Sequence, residues 1–245
     1  MFSIFKTKPI LKDLIPEGFI DIHSHVLHGL DDGAKTLKDT VYLIESMKDF
    51  GFEKIMTTPH TTPLVWENTK EGIISKLEEV KSEIPELAKS VSLNAASEYL
   101  MDESFLRRLE NEKILALKDN VVLVEMSYMN PPIHLYDILF KLVSLGYQPV
   151  LAHPERYNFY ANDFNAFKKL KKAGCLFQLN LLSVTGYYGS GIAHIADELL
   201  KNDMYDFAGS DIHHDNHING FSNKLKIKNV KTFEKVLENN IKFFG

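Results

Sequence analysis

The sequence predicts an α/β protein of one domain, built as a closed or nearly closed (β/α) barrel with seven strands. Three observations predict it. Short apolar runs alternate with helical patterns from end to end, making about seven βα units. The connections between them are short, as parallel strands joined by helices require. No Ser/Gly run, charge block, low-complexity stretch or internal repeat marks a linker. An open doubly wound sheet has the same periodicity and stays as the alternative.

Residues 19–23 (FIDIH) read as the first strand, and 37–51 as a helix closed by Gly51. KIMTTPH (54–60) is a strand ending at a proline. Residues 70–89 form one helix, with Ile73, Ile74, Leu77, Val80 and Ile84 spaced for a single face. Strands follow at 91–99 and 120–127, with a helical piece at 102–110 between them. A helix at 133–146 stops at a glycine, 149–155 is a strand, and 163–174 is a helix ending at Gly174. CLFQLN (175–180), a helix at 191–202, the strand 205–211 and a last helix near 230–239 complete the alternation.

With 245 residues, 44% hydrophobic and 25% charged, the chain has material for a large core and an ordinary surface. A net charge of -5 gives no general attraction to nucleic acid or an anionic membrane, so an anionic substrate needs local cations. The opening MFSIFKTKPILKDLIP carries Lys6, Lys8, Lys12 and Asp13 and no sustained apolar core, and no segment approaches a membrane span. The expectation is a cytoplasmic protein, with residues 1–18 an extension that packs on the barrel's outside or mediates self-association. The single Cys175 excludes an internal disulfide and a Cys-rich zinc site, and AGCLFQLN marks it as a core thiol.

The polar residues fall in a pattern. His23 and His25 end the first predicted strand, His60 the second, Glu98 the third, Glu125 the fourth, His153 the fifth, and Asp211 with His213 the seventh. In α/β barrels the C-terminal strand edge carries the active site. Each residue alone has an ordinary structural explanation, but eight on one rim would repel and desolvate one another without cations. The set predicts a metal site. His and carboxylate ligands without thiolates suit Mn, Fe or Zn, and their number exceeds the four of a tetrahedral zinc, so two or three ions are expected. Glu125, on a central strand, is expected to bridge two of them. Asp31 and Asp32 read locally as an Asp-Asp-Gly turn; beside His-x-His, a further carboxylate ligand competes with that reading.

DIHSH…DDG, TTPH, the glutamate after a third strand, VEMS, AHPERY and SDIH together resemble the PHP (polymerase and histidinol phosphatase) superfamily. Within it they are most similar to the manganese-dependent bacterial protein-tyrosine phosphatases of capsule and exopolysaccharide operons. The ordered motifs run from about Phe19 to His213. The resemblance implies a distorted (β/α)7 TIM-like barrel over residues 19–245. It implies one metal among His23, His25, Glu125 and Asp211, a second among Glu98, Glu125 and His153, and a third at Asp32, His60 and His213. Arg156 corresponds to an arginine that contacts phosphate. The implied substrate is a tyrosine-phosphorylated protein, the tyrosine-rich tail of a partner kinase governing polysaccharide export. The sequence departs from the pattern where the relatives carry a second arginine; Ile218 stands there, with His217 beside it. Charge at that place falls to His217, to a lysine such as Lys224, or to nothing.

The leading expectation is therefore a phosphotyrosine phosphomonoesterase in which a metal-bridging hydroxide attacks phosphorus, Arg156 neutralises charge and His60 can supply a proton. A small-molecule phosphatase on the same metals, such as one acting on histidinol phosphate, is the alternative enzyme; a non-catalytic metal-binding regulatory module is the alternative of another class. His134 and His194 read as surface or packing residues, and His28 and His214 as neighbours of the motifs. Tyr128 and Tyr157 could flank an aryl phosphate, and a homo-oligomer is compatible with all of this.

Overall fold

The structure, a computed structural model, describes residues 8–245. It is a mixed α/β domain with two sheets of parallel strands. Strands β1 (Phe19–Asp21), β2 (Phe52–Thr57) and β4 (Asn94–Ala95) form one, in the order β1-β2-β4. Strands β3 (His60–Thr61), β5 (Glu98–Leu100), β6 (Val121–Glu125), β7 (Gln148–Ala152), β8 (Leu176–Asn180) and β9 (Phe207–Gly209) form the other, in sequence order. All these pairings are parallel. The described strands do not pair as one continuous closed barrel.

Two of the expected strands are each broken in two. Pro59 has no N–H to donate, and the run expected at 54–60 divides there into β2, on one sheet, and β3, on the other. The run at 91–99 divides likewise into β4 and β5. Proline also splits the expected helix 70–89: Ile84 leaves helical geometry (φ −130, ψ 55) before Pro85, giving α2 (Lys70–Glu83) and α3 (Pro85–Ser90). The other expected helices stand: α1 (Leu37–Asp49), α4 (Glu103–Asn111), α5 (Leu135–Ser144), α6 (Phe164–Lys172) and α7 (Ser190–Lys201). A capping box between Thr36 and Asp39 starts α1, and the Asp102 carboxylate caps α4. Two features differ from expectation. A short helix α8 (Asp215–Gly220) forms within HHDNHING, and the last helix, α9 (Val230–Phe244), runs five residues further than expected.

β1 and β9 approach each other without a ladder, and side chains stitch the seam. Ser210 donates from N and Oγ to the buried Asp21 carboxylate, both at 2.8 Å. From α9, buried Asn240 donates to the carbonyls of Ile20 (2.8 Å) and Ala208 (2.6 Å) and accepts from Ala208 N (2.9 Å). Beyond the strand ends, Asp211 N donates to His23 O and His25 N to Ile212 O, and one parallel bridge joins Ser24 to Ile212. This seam brings the motifs from the two ends of the chain side by side.

The described part of the N-terminal extension packs on the molecule. Leu11 is fully buried, and the backbones of Pro9, Leu11 and Lys12 pair with Leu225, Asn223 and Phe221. Residues 1–7 of the extension lie outside the described residues. No helix among the described residues is long and apolar enough to cross a membrane.

Replacing Asn240 by Leu keeps the volume but strands two carbonyls and one N–H at the seam. Unsatisfied buried groups of this kind cost about 2–3 kcal/mol in total, which for a chain of this size lowers Tm by roughly 5–10 °C. Thermal unfolding of Asn240→Leu checks this; an unchanged Tm would remove Asn240 from the seam.

Candidate metal centre

Glu98 lies at the middle of the cluster, fully buried at the start of β5. Its Oε2 stands 3.1 Å from His23 Nε2, 3.4 Å from His25 Nε2 and 3.1 Å from His60 Nδ1, and its Oε1 stands 3.2 Å from His153 Nε2. Four imidazoles from three segments thus face one carboxylate. Asp211 Oδ1 lies 3.2 Å from His23 Nε2, 3.4 Å from His25 Nε2 and 3.5 Å from His213 Nδ1. Glu125 reaches His60 Nδ1 at 3.0 Å, and Asp32 lies 3.4 Å from His213 Nε2 and 3.6 Å from His60 Nε2. All nine residues expected as ligands therefore meet at one rim.

The bridging position differs from the expectation. Glu125 faces only His60, whereas Glu98 is shared between ligand groups, one with His23 and His153, another with His60 and Glu125. Register is the reason. Glu98 pairs with His60 on one side and with Leu123 on the other, so Glu125 sits two residues further toward the rim. At about 3.3 Å per residue, that places it outside the ring of imidazoles.

Buried partners aim the rings. His23 Nδ1–H donates to Gln178 Oε1 (2.8 Å), and the Gln178 amide is held by the carbonyl of Leu179, so His23 Nε2 must face the centre. His25 Nδ1–H donates to Asp31 Oδ2 (2.7 Å), which also accepts from His60 N at 3.0 Å. Of the two adjacent aspartates, then, Asp31 orients a ring and Asp32 faces the cluster. Gly33 is required in this turn: a Cβ there would lie 2.1 Å from His25 O. His153 (φ 37) and Asp211 (φ 51) are held in the left-handed region, where non-glycine residues are strained and where site residues concentrate. The indole of Trp66, the one tryptophan, stacks on His60 at 4.9 Å.

Electrostatics follow from burial and crowding. Burial opposes a charged His23, yet Glu98 and Asp211 push its pKa up to about 10. His25 and His60 are raised as well, His25 chiefly by Asp31 and His60 by Glu98, in each case against burial. Burial would raise Glu98 and Asp211, but the imidazoles hold both well below the usual carboxylate range. Glu125 is raised by burial and by Glu98. His153 is lowered to about 4 by burial and by Arg156, so its ring is neutral and ready to ligate.

The donor set fits divalent cations. His60 Nδ1 and Glu98 Oε1 are buried without a hydrogen-bond partner although other donors of the cluster stand 3.0–3.2 Å away. His60 Nδ1 lies close to two carboxylates, but its N–H direction fits neither. Nitrogen and oxygen donors turned on one another in this way, with no thiolate among them, are what a cation of the Mn, Fe or Zn class satisfies.

Arg156, just past β7, sits at the edge of the same cluster. Its Nη1 donates to Asp211 Oδ2 (2.5 Å), and its guanidinium lies between the rings of Tyr188 (4.2 Å) and Tyr128 (5.0 Å). Asn180 Nδ2 donates to the same Asp211 oxygen at 2.9 Å. Of the two tyrosines expected near the site, Tyr128 flanks it, and Tyr157 is a core residue whose hydroxyl accepts from Met126 N. His217 on α8 is buried, and burial lowers its pKa to about 3. Its Nδ1 accepts from His213 N (3.1 Å), which leaves the ring proton on Nε2. His217 offers a hydrogen bond here, not the charge expected in place of a second arginine. Lys224 is exposed, its backbone bridged to Ile10. Glu155 ties the site's floor together, accepting from Asn180 N and from the Tyr205 hydroxyl. Cys175 is buried, its thiol pushed up to about 12 by burial, and is no nucleophile. His134 caps α5 at the surface, away from the cluster.

The family model described as capsular polysaccharide synthesis, CpsB/CapC, matches residues 19–233. The chain belongs to the CpsB/CapC family. As a CpsB/CapC protein it is 29% identical over 187 residues to the tyrosine-protein phosphatase CpsB of Streptococcus agalactiae, covering 76% of this chain and 72% of that one. It is 28% identical over 200 residues to the tyrosine-protein phosphatase CpsB of Streptococcus pneumoniae, covering 79% and 82%. Its fold matches a chain from the crystal structures of YwqE from Bacillus subtilis and CpsB from Streptococcus pneumoniae, described as unique metal-dependent tyrosine phosphatases. The TM-score is 0.80 at 22% identity, over 92% of this chain and 94% of that chain.

A cation must displace the protons that the carboxylates hold on His23 and its neighbours, because only neutral imidazole ligates. His23, raised to about 10, is protonated at pH 7 in the absence of an ion. Manganese binding to the chelator-treated protein is therefore expected to release protons at neutral pH and to tighten as pH rises toward about 10. Calorimetric titrations in buffers of different ionisation enthalpy measure the release; heats independent of buffer would contradict it.

Proposed function

We propose that this CpsB/CapC protein is a metal-dependent phosphomonoesterase that removes phosphate from phosphotyrosine in protein and serves polysaccharide synthesis or export. One observation carries the reading: a buried carboxylate, Glu98, faces four imidazoles while a guanidinium is fixed at the edge of the same cluster. The names of the two CpsB relatives support phosphotyrosine as the substrate. The two sheets are read as a distorted (β/α)7 barrel spanning 19–245. Joining β2 with β3 and β4 with β5 leaves seven strand positions, and the bridge between Ser24 and Ile212 links the first to the last. A cytoplasmic location fits the buried, unpaired cysteine.

The residues sort into three groups: His23, His25 and Asp211, with an oxygen of Glu98, for one ion; Glu98 with Glu125 and His153 for a second; Asp32, His60 and His213 for a third. We assign two or three Mn2+ ions, with Fe or Zn able to use the same donors. Such ions, when bound, neutralise phosphate charge and lower the pKa of water. Arg156 binds and orients the phosphate. Its planar fork matches two oxygens, which a lysine cannot reproduce, and the two tyrosine rings hold it in place. His60 presents Nε2 to Asp32 and Nδ1 to Glu98 and Glu125. A ring that ligates through one nitrogen keeps the other for a proton, so His60 can still serve a phenolate leaving group. His217 adds a neutral donor, and Arg156 is left as the cationic side chain of the cluster. A tyrosine-rich tail of a bacterial tyrosine kinase is the substrate of this description.

Hydrolysis of a phosphotyrosine peptide with added manganese tests the reading. Turnover is expected to vanish with EDTA and to survive alkylation of thiols; turnover that persists through chelation would sink the metal chemistry. Arg156→Lys is expected to keep its metal content while losing a factor of about 10²–10³ in kcat, the usual loss for one preorganised donor. Near-wild-type kcat with a lowered Tm would make Arg156 a structural residue.

A further inference from the structure

A groove of about 730 Å³ opens beside the metal centre, and three stretches of its wall follow candidate ligands in the chain. Pro63 and Leu64 follow His60, Leu100 and Met101 follow Glu98, and Ser127 follows Glu125. Its lips are apolar and unusually exposed. Leu64 is 93% exposed and Ile133, on the facing loop, 96%.

The Leu64 lip is built rather than loose. Thr62 and Trp66 exchange two backbone hydrogen bonds of 2.9 Å, closing a tight loop with Leu64 near its tip. The same loop is pinned to the centre by the stacking of Trp66 on His60. Leu64 itself has φ 64, in the left-handed region that a leucine rarely enters. A chain that strains its backbone to hold a leucine in solvent, next to reacting groups, has placed it for a ligand.

We propose that this groove is the subsite for the polypeptide flanking the scissile phosphotyrosine, and that it selects substrates carrying aliphatic or aromatic side chains beside that residue. The inference rests on the phosphotyrosine reading above and adds the sequence preference of the substrate. Continuity with the metal centre makes the occupant the substrate chain itself: a peptide whose phosphate reaches Arg156 must leave the site over one of its rims. Between the lips the walls offer Ser127, Arg107 paired with Glu103, and the carboxylates of Glu67 and Asp102 for the peptide backbone. Such a division, with apolar lips for side chains and a few polar groups for the main chain, is that of a peptide-binding cleft.

Steady-state kinetics with manganese on three substrates test it: free phosphotyrosine, a phosphotyrosine peptide with Leu, Ile or Phe at the flanking positions, and the same peptide with Ser and Asn there. The wild type is expected to favour the apolar peptide over the polar one by about ten-fold in kcat/KM, the contribution of one well-placed apolar side chain. Ile133→Ser and Leu64→Gly are expected to erase that preference and leave free phosphotyrosine unchanged. Leu64→Gly also relaxes the positive φ, so its Tm should not fall, and lost folding cannot imitate the result. Equal kcat/KM for the two peptides, or variants that slow free phosphotyrosine as much as peptide, would overturn the subsite. Failure of the wild type to hydrolyse any of the three would instead overturn the phosphotyrosine reading itself.

Discussion

A carboxylate removed from water is tolerated only when charge or hydrogen bonds replace its hydration. Glu98 is fully buried and has only imidazoles and, by inference, cations to do this. The surrounding structure follows from keeping those partners in place. The pairing of β3 with β5 sets His60 beside it, and the β1 continuation brings His23 and His25. Gln178 and Asp31 turn those rings so that Nε2 faces inward. The left-handed backbones of His153 and Asp211 are local strain accepted for the same end.

The seam between β1 and β9 is the second constraint. Ligands from residues 23–25 and 211–213 can share an ion only if the two ends of the chain are adjacent, and no extended ladder joins them. Asp21 with Ser210, and Asn240 with both strands, supply the missing hydrogen bonds from side chains. α9 thus supports the site without contributing a group to it.

Much of this was legible in the sequence. Periodicity placed the elements, and the fall of His, Asp and Glu at strand ends placed eight of the nine cluster residues, because strand alternation and βα order determine which side chains reach the rim; Asp32, in a turn, came from the family resemblance. What was not legible depends on register and on paired partners. That Glu98 and not Glu125 is the shared carboxylate follows from a two-residue offset between β5 and β6, which no single-strand pattern records. Gln178 was hidden as one polar residue in an apolar strand, and Asp31 as half of a turn signal; their roles exist only against His23 and His25. Pro59 and Pro85 were visible, but a proline marks a boundary and not what the chain does beyond it. His217 was singled out for a charge that burial denies it.

The chemistry follows from this geometry: a site dense in buried imidazole and carboxylate, one aromatic-clamped guanidinium, and a strained apolar lip beside them. In the proposed metal centre Glu98 is the carboxylate shared between cations. Elemental analysis of Glu98→Gln and Glu125→Gln, purified alike and loaded with manganese, tests it most directly. Glu98→Gln is expected to lose more metal than Glu125→Gln, because two ligand groups share the first residue and one uses the second. Equal losses, or a greater loss from Glu125→Gln, would contradict it.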